Sequence, residues 1–142
     1  MAVSPEDQNQ QISRTWPEEE TVHDSIPSRA RDFLSQAIAS LHAPAGAVML
    51  TASAVDAMLK DKSLKAGSLN ARIEEAAKSH LITAEMAAWA HEIRLDANEQ
   101  RHADDEAPLP NAADAEKVIE FAKALGQFLY VLPARVERGR KR

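Results

Sequence analysis

Residues 84–101, which read AEMAAWAHEIRLDANEQR, contain the pattern that decides the fold. Apolar side chains recur there at the spacing of an α-helix, and all of them fall on one face: Met86, Trp89, Ala90, Ile93 and Ala97. The spacing predicts a helix from Ala84 to about Arg101 with this face in the core. Thr83 is a suitable N-cap for it.

Four further segments show helical spacing on either side of this one. They begin near Ser25, after the interruption at 43–46, at the N-cap Ser68 and after the loop 103–111. Pro133 lies inside the last apolar pattern, so we expect that helix to kink or stop there. Alanine is abundant and runs of β-branched or aromatic residues are missing. The sequence therefore predicts an all-α, compact bundle of about five helices, without a sheet.

Length and charge predict one domain with two polar ends. The 142 residues are of single-domain size. We expect a flexible acidic N-terminal arm over 1–24, a helical domain over 25–138 and a basic tail over 139–142. The net charge is −5, and an acidic body does not favour general nucleic-acid binding. The basic cluster 135–142 either contacts phosphates or complements the dipole of the last helix.

Several classes of site are excluded by the residues. The chain has no cysteine, so disulfides, thiolate zinc sites and cysteine nucleophiles are ruled out. His91 and Glu92 would begin a zinc-protease helix, but position 95 is Leu95, where that motif needs histidine. We expect no metal and no cofactor. With no signal peptide and no long apolar run, we expect a cytoplasmic protein that does not enter a membrane.

One polar trio on the fourth helix stands out as a candidate site. Arg94, Asn98 and His102 are spaced four and four apart, and they lie roughly 100°, 140° and 180° from Ile93 around the helix. They therefore face away from the apolar stripe, toward solvent or a partner. Such a ridge could hold a phosphodiester, with the arginine offsetting negative charge and the histidine acting as general acid or base.

The same trio also has a purely structural explanation. Arg94 would pair with neighbouring carboxylates, Asn98 would face solvent, and His102 would cap the helix C-terminus, where a cation is favoured. Asp56, at the polar edge of the second helix, either orients the Arg94 ridge or is simply solvated. Arg101, next to His102, is a second candidate for binding.

The segment 89–102, WAHEIRLDANEQRH, resembles the signature of the domain-of-unknown-function 4145 family, an Arg-x-x-Gly-Asn-x-x-x-His pattern that ends a helix. The resemblance extends from Ile26-Pro27 through SLNARI at 68–73 to LYVLPAR at 129–135, which is typical of the close of that family. That family is related to the HEPN superfamily (higher eukaryotes and prokaryotes nucleotide-binding domains). The resemblance implies a helical bundle that homodimerises and takes RNA or a nucleotide as ligand, in a prokaryotic defence or regulatory system.

Active HEPN ribonucleases are metal-independent and place an Arg-x(4–6)-His motif at the dimer cleft. Their arginine directly precedes the Asn or Asp, and here that position is Ala97. Asn98 and His102 match the motif, whereas seven residues separate Arg94 from His102. The second helix also lacks an arginine pair that is frequent in the family, and shows TAS at 51–53 instead. These departures point to a degenerate site.

Three hypotheses follow from the sequence. The leading one is a HEPN-like dimerisation and binding module, catalytically degenerate, that dimerises through its later helices with the Arg94–Asn98–His102 ridge along a cleft. The second is a metal-independent endoribonuclease that uses the same ridge. The third is a plain interaction protein, in which the acidic arm and basic tail recruit other chains.

Overall fold

A computed structural model describes residues 22–93, residue 95 and residues 108–141. The helices are α1 (Ser28–Ala39), α2 (Pro44–Asp61), α3 (Leu69–Lys78), α4 (Ala84–Glu92), α5 (Ala112–Gly126) and α6 (Leu132–Arg140), and a π-helical turn (Gln127–Val131) joins the last two. Because α5, the π turn and α6 are continuous, this part of the chain forms five helical rods. No strand occurs over these ranges, and the predicted all-α bundle is confirmed.

Helix α2 lies at the centre of the bundle. It packs most extensively against α1 and then against α5, and its C-terminal part also contacts α3. Its buried residues are Ala47, Val48, Thr51, Ala54, Val55, Met58 and Leu59. The hydroxyl of Thr51 is fully buried, and it donates a hydrogen bond to the carbonyl oxygen of Ala47 at 2.8 Å. A polar side chain is thereby accommodated in the core without an unpaired donor.

The helix starts follow local capping chemistry. The Ser68 Oγ accepts a hydrogen bond from the amide of Ala71, and the Thr83 Oγ1 accepts one from the amide of Met86. Both predicted N-caps are therefore confirmed. Helix α5 starts with a capping box, in which the side chains of Asn111 and Asp114 each accept from the other residue's amide.

Helix α4 ends earlier than its apolar pattern predicts. The predicted end near Arg101 is wrong, because the helix stops at Glu92 with Ile93 as its C-cap. In a continuing helix, Leu95 would lie about 180° from the buried Met86. After the helix ends, the amide of Leu95 instead donates to the carbonyl oxygen of Ala90, and the Leu95 side chain is buried in the core. Burial of this side chain favours the early end.

The helical conformation does not stop at Pro133 but continues through it. The π turn immediately precedes the proline, and the amide of Leu132 donates to the carbonyl oxygen of Gln127, five residues back. A proline inside an α-helix clashes with the carbonyl four residues earlier, and a π turn widens the backbone at that point. The proline therefore stands in the first turn of α6, where its missing N–H is tolerated.

None of the helices that the structure describes is long and apolar enough to cross a membrane. The first described residue, Val22, already packs on the bundle, where it is partly buried against the core. Residues 1–21 of the predicted arm lie outside the described residues.

We expect Thr83→Ala to lower the free energy of unfolding by about 1 kcal/mol, because the amide of Met86 loses its acceptor at the start of a short helix. Urea unfolding followed by circular dichroism measures this difference. Thr83→Ser keeps the hydroxyl and is the matched control. Equal stabilities of the alanine and serine variants would contradict the capping role.

Candidate functional site

The predicted ridge lies in a part of the chain that the structure does not describe. Arg94, Asn98, Arg101 and His102 are all outside the described residues. The ridge and its proposed roles therefore stay predictions. The candidate residue that can be located is Asp56 on α2.

Asp56 is held between two cations. Its Oδ1 lies 2.6 Å from Nη2 of Arg72 on α3, and its Oδ2 lies 2.9 Å from Nζ of Lys60, one turn further along α2. The Arg72 side chain is almost completely buried, and its Nη1 donates a long hydrogen bond of 3.5 Å to the carbonyl oxygen of Leu64. The Asp56–Arg72 pair thus joins α2 to α3.

These partners keep the Asp56 carboxylate ionised. Burial by itself would raise the pKa of Asp56, but hydrogen bonds and charge from Lys60 and Arg72 outweigh it. The net result is a pKa below its ordinary value of 3.8. A carboxylate held in this way is a poor general acid or base near neutral pH, so its contribution is electrostatic and positional.

Asp56 also lines a small cavity between α1 and α2. The cavity has a volume of about 340 Å³, and its polar lining residues are Arg29, Ser53, Asp56, Lys60 and Asp61. Acidic and basic side chains are mixed there, so the cavity has no strong preference for an ion of either sign.

Sequence reasoning missed the buried arginine. Arg72 lies within SLNARI at 68–73, directly before Ile73 and three residues after Leu69, on the flank of the apolar face of α3. An arginine at such a position is a sign of a buried ion pair, because a lone buried charge is costly. Only the fold identifies Asp56 as its partner.

A second contact fastens the π turn to the end of α2. The hydroxyl of Tyr130 lies 2.7 Å from Oδ2 of Asp61 and 3.1 Å from the carbonyl oxygen of Met58. Burial and the neighbouring Asp61 carboxylate raise the pKa of Tyr130 well above its ordinary value. The Lys62 ammonium sits 4.5 Å from the centre of the tyrosine ring. The Tyr130 side chain thus holds the π turn against the end of α2.

The π turn and α6 together carry an exposed apolar stripe, which consists of Phe128, Leu132 and Val136. Their exposed fractions are 38%, 39% and 58%, and they are spaced four apart along the chain. Such spacing puts side chains on one side of a helix. The stripe borders a groove of about 1010 Å³, whose other lining residues include Leu81, Pro133, Lys62, His80, Arg140 and Lys141. We call this the C-terminal groove.

The π turn changes the direction in which the apolar pattern faces. Apolar residues spaced alternately four and three apart continue from α5 into α6: Val118, Ala122, Leu125, Leu129, Leu132 and Val136. The first four are buried and the last two are exposed. A π turn takes up one extra residue, which rotates the following helix by about 100°. Leu132 and Val136 therefore lie out of phase with the buried residues of α5, on a helix of which no residue is buried.

An apolar pocket lies on another side of the bundle, between α1, α4 and α5. It has a volume of about 630 Å³. Its apolar lining consists of Val22, Ile26, Leu34, Ile38, Trp89 and Ala124, and its polar rim of His23, Asp24, Glu120, Lys123 and Gln127. The Trp89 ring packs edge-on against Phe121, with 5.3 Å between ring centres. The sequence pattern placed Trp89 in the core, and nothing in the pattern marked it as a pocket wall.

Among the described residues, no group of three or more histidine, aspartate or glutamate side chains is arranged so that it could hold a metal ion. His91, the start of the incomplete zinc-protease motif, instead pairs through Nε2 with Glu74 of α3. This contact ties α4 to α3.

Comparison with protein families gives a match to the family described as a domain of unknown function, DUF4145, over residues 34–142. The chain belongs to this family. No curated protein and no solved structure matches it. The matched range contains α2 to α6 and the C-terminal half of α1. In this DUF4145 domain, the segment TAS at 51–53 consists of the fully buried Thr51 followed by the partly buried Ala52 and Ser53.

We expect Asp56→Ala to lower the free energy of unfolding by about 1–3 kcal/mol, because it leaves the buried Arg72 guanidinium without its carboxylate. Asp32→Ala, at an exposed position on α1, is the matched control and should change it by less than about 0.5 kcal/mol. Chemical unfolding at neutral pH measures both. An Asp56→Ala effect no larger than the control would contradict the pairing.

The same pair has a defined pH dependence. The pKa of Asp56 is lower in the folded than in the unfolded chain, so its stabilisation is complete above the unfolded pKa and is lost as pH falls through the folded pKa. The difference in stability between wild type and Asp56→Asn should therefore shrink as the pH falls below 3.8.

Proposed function

We propose that this DUF4145 domain is a HEPN-like homodimerisation and binding module without catalytic activity, and that the exposed stripe Phe128–Leu132–Val136 forms its dimer interface. The defence or regulatory setting comes from the family resemblance alone. The observation that carries the dimer is that apolar residues on the last helix are exposed at regular spacing.

Helix α6 has few contacts of its own with the bundle. It has no buried residue, and in the described chain its main contacts are with the π turn that it continues. Most helices gain stability by packing an apolar face. Helix α6 continues the rod of α5 and the π turn but packs no such face on the bundle, so its apolar side is available to a partner surface.

A second copy of the same helix is a suitable partner. In a twofold antiparallel pair centred on Leu132, Val136 of one copy lies opposite Phe128 of the other, so the stripe is complementary to itself. The C-terminal part of α6 is basic, with Arg135, Arg138 and Arg140 against Glu137. An antiparallel pair keeps these basic ends apart, whereas a parallel pair would bring like charges together.

We expect the wild-type protein to have a mass of twice its 15.6 kDa chain mass in solution, and Leu132→Glu to be monomeric. The substitution puts a charge at the centre of the interface, where burying it without a partner is costly. Leu132 is 39% exposed and lies outside the core, so the fold should be retained. Light scattering at several protein concentrations measures the mass.

Leu109→Glu is the matched control, because Leu109 is 77% exposed and lies in the loop before α5. This variant should remain dimeric. A wild-type monomer at every concentration, or a dimeric Leu132→Glu variant with unchanged circular dichroism, would refute the proposed interface.

We propose the absence of catalysis because of the residue at a single position, Ala97. Ala97 stands where active HEPN ribonucleases have the arginine that offsets charge on the phosphate, and removing a single stabilising donor of this kind costs about 10²–10³ in rate. In the presence of EDTA, we expect the wild-type protein to cleave structured and single-stranded RNA no faster than the His102→Ala variant does. Gel analysis of labelled RNA measures this.

Ala97→Arg is the informative companion variant, because it places an arginine with four residues between it and His102, as in the motif of the active ribonucleases. Cleavage that appears in Ala97→Arg and disappears in the Ala97→Arg, His102→Ala double variant would identify the missing arginine as the cause of inactivity. Cleavage by wild type that His102→Ala abolishes would establish the endoribonuclease instead.

A further inference from the structure

We propose that the apolar pocket between α1, α4 and α5 is the docking site for the chain's own N-terminal arm, with the Trp16 side chain as the group that enters it. This inference concerns a different surface from the dimer stripe and does not depend on it. Residues 1–21 lie outside the described residues, so the argument rests on the pocket and on where the chain leaves it.

The chain enters the described structure at the wall of this pocket. Val22, His23 and Asp24 all line it, and Val22 already packs against the core. A turn fixes the direction of the chain here: the amide of Ile26 donates to the carbonyl oxygen of His23 at 3.1 Å, and the amide of Ser25 donates to Nδ1 of His23 at 3.0 Å. The described chain therefore begins at the pocket itself.

Trp16 is within reach and is the group that the pocket suits. It stands six residues before Val22, which corresponds to about 20 Å of extended chain. It is also the only aromatic residue among the first 32. A cavity of 630 Å³ with an aliphatic floor and an aromatic wall at Trp89 offers an indole ring large apolar contact.

A tethered segment has an advantage over a free ligand. Because the tether is short, the effective concentration of Trp16 at the pocket is on the order of millimolar. Attraction between opposite charges also favours docking of the arm, by a smaller amount. Lys123 at the rim makes a long 3.8 Å pairing with Glu120, and the acidic run 18–20 follows Trp16-Pro17 in the sequence. The exposed Glu120 partly offsets this attraction.

The two tryptophans of the chain provide a direct test. In Trp89→Phe, Trp16 is the only tryptophan, and the phenylalanine keeps an aromatic wall. We expect its fluorescence to be blue-shifted relative to the protein unfolded in guanidinium chloride, with acrylamide quenching several-fold weaker. Ala124→Gln in the same background puts a longer side chain into the pocket and should restore the exposed signal. Ala113→Gln, at an exposed position of the same helix, should not.

A reciprocal variant, Trp16→Ala, leaves the pocket wall unchanged and so tests the proposal without a substitution at Trp89. In Trp16→Ala the remaining Trp89 should become more accessible to acrylamide, because its cover is gone. The proposal is overturned if Trp16 emits and quenches in Trp89→Phe as it does in the unfolded chain and Trp16→Ala leaves the quenching of Trp89 unchanged. Protection of Trp16 that is lost on dilution would show instead that the arm of a second copy fills the pocket, which also overturns docking within one chain.

Discussion

Helix α2 packs against α1, α3 and α5, and the small side chains on its buried faces determine how closely these helices approach. Ala47, Thr51 and Ala54 are completely buried there, and α1 contributes the equally buried Ala30 and Ala37. Interiors are packed at nearly crystalline density, so a larger side chain at any of these positions would push a neighbouring helix away. Every other feature of the molecule is positioned through this packing, including the Asp56 carboxylate on α2 and both apolar surfaces at the bundle's edges.

Much of the fold could be predicted from the sequence because its rules are local. The N-caps Ser68 and Thr83 act through atoms three residues away, and helical spacing identifies the buried faces without knowledge of their partners. The early end of α4 could not be predicted in this way. It depends on whether Leu95 gains more from the core than the helix gains from continuing, and that balance is decided by neighbouring helices.

The candidate site likewise has one part that local sequence predicts and another that requires the fold. Asp56 was found from its place at the polar edge of α2, but its ion pair with Arg72 joins two helices and requires the fold. The apolar pocket is formed by residues from three helices and from the segment before α1, and no local pattern connects them. The ridge Arg94–Asn98–His102 follows from sequence spacing and stays a prediction, because these residues lie outside the described ones.

The π turn at Gln127–Val131 has a consequence for how this domain can change during evolution. The turn holds one residue more than a regular helix would need, so loss of one residue there would restore regular helical phase. Leu132 and Val136 would then return to the helical phase of the buried residues of α5, without any change in their chemistry. Insertion or deletion of a single residue, rather than substitution, is thus a sufficient step to change the direction in which an apolar surface faces. Relatives that differ in length at this point would present their apolar residues on different sides even where those residues are the same.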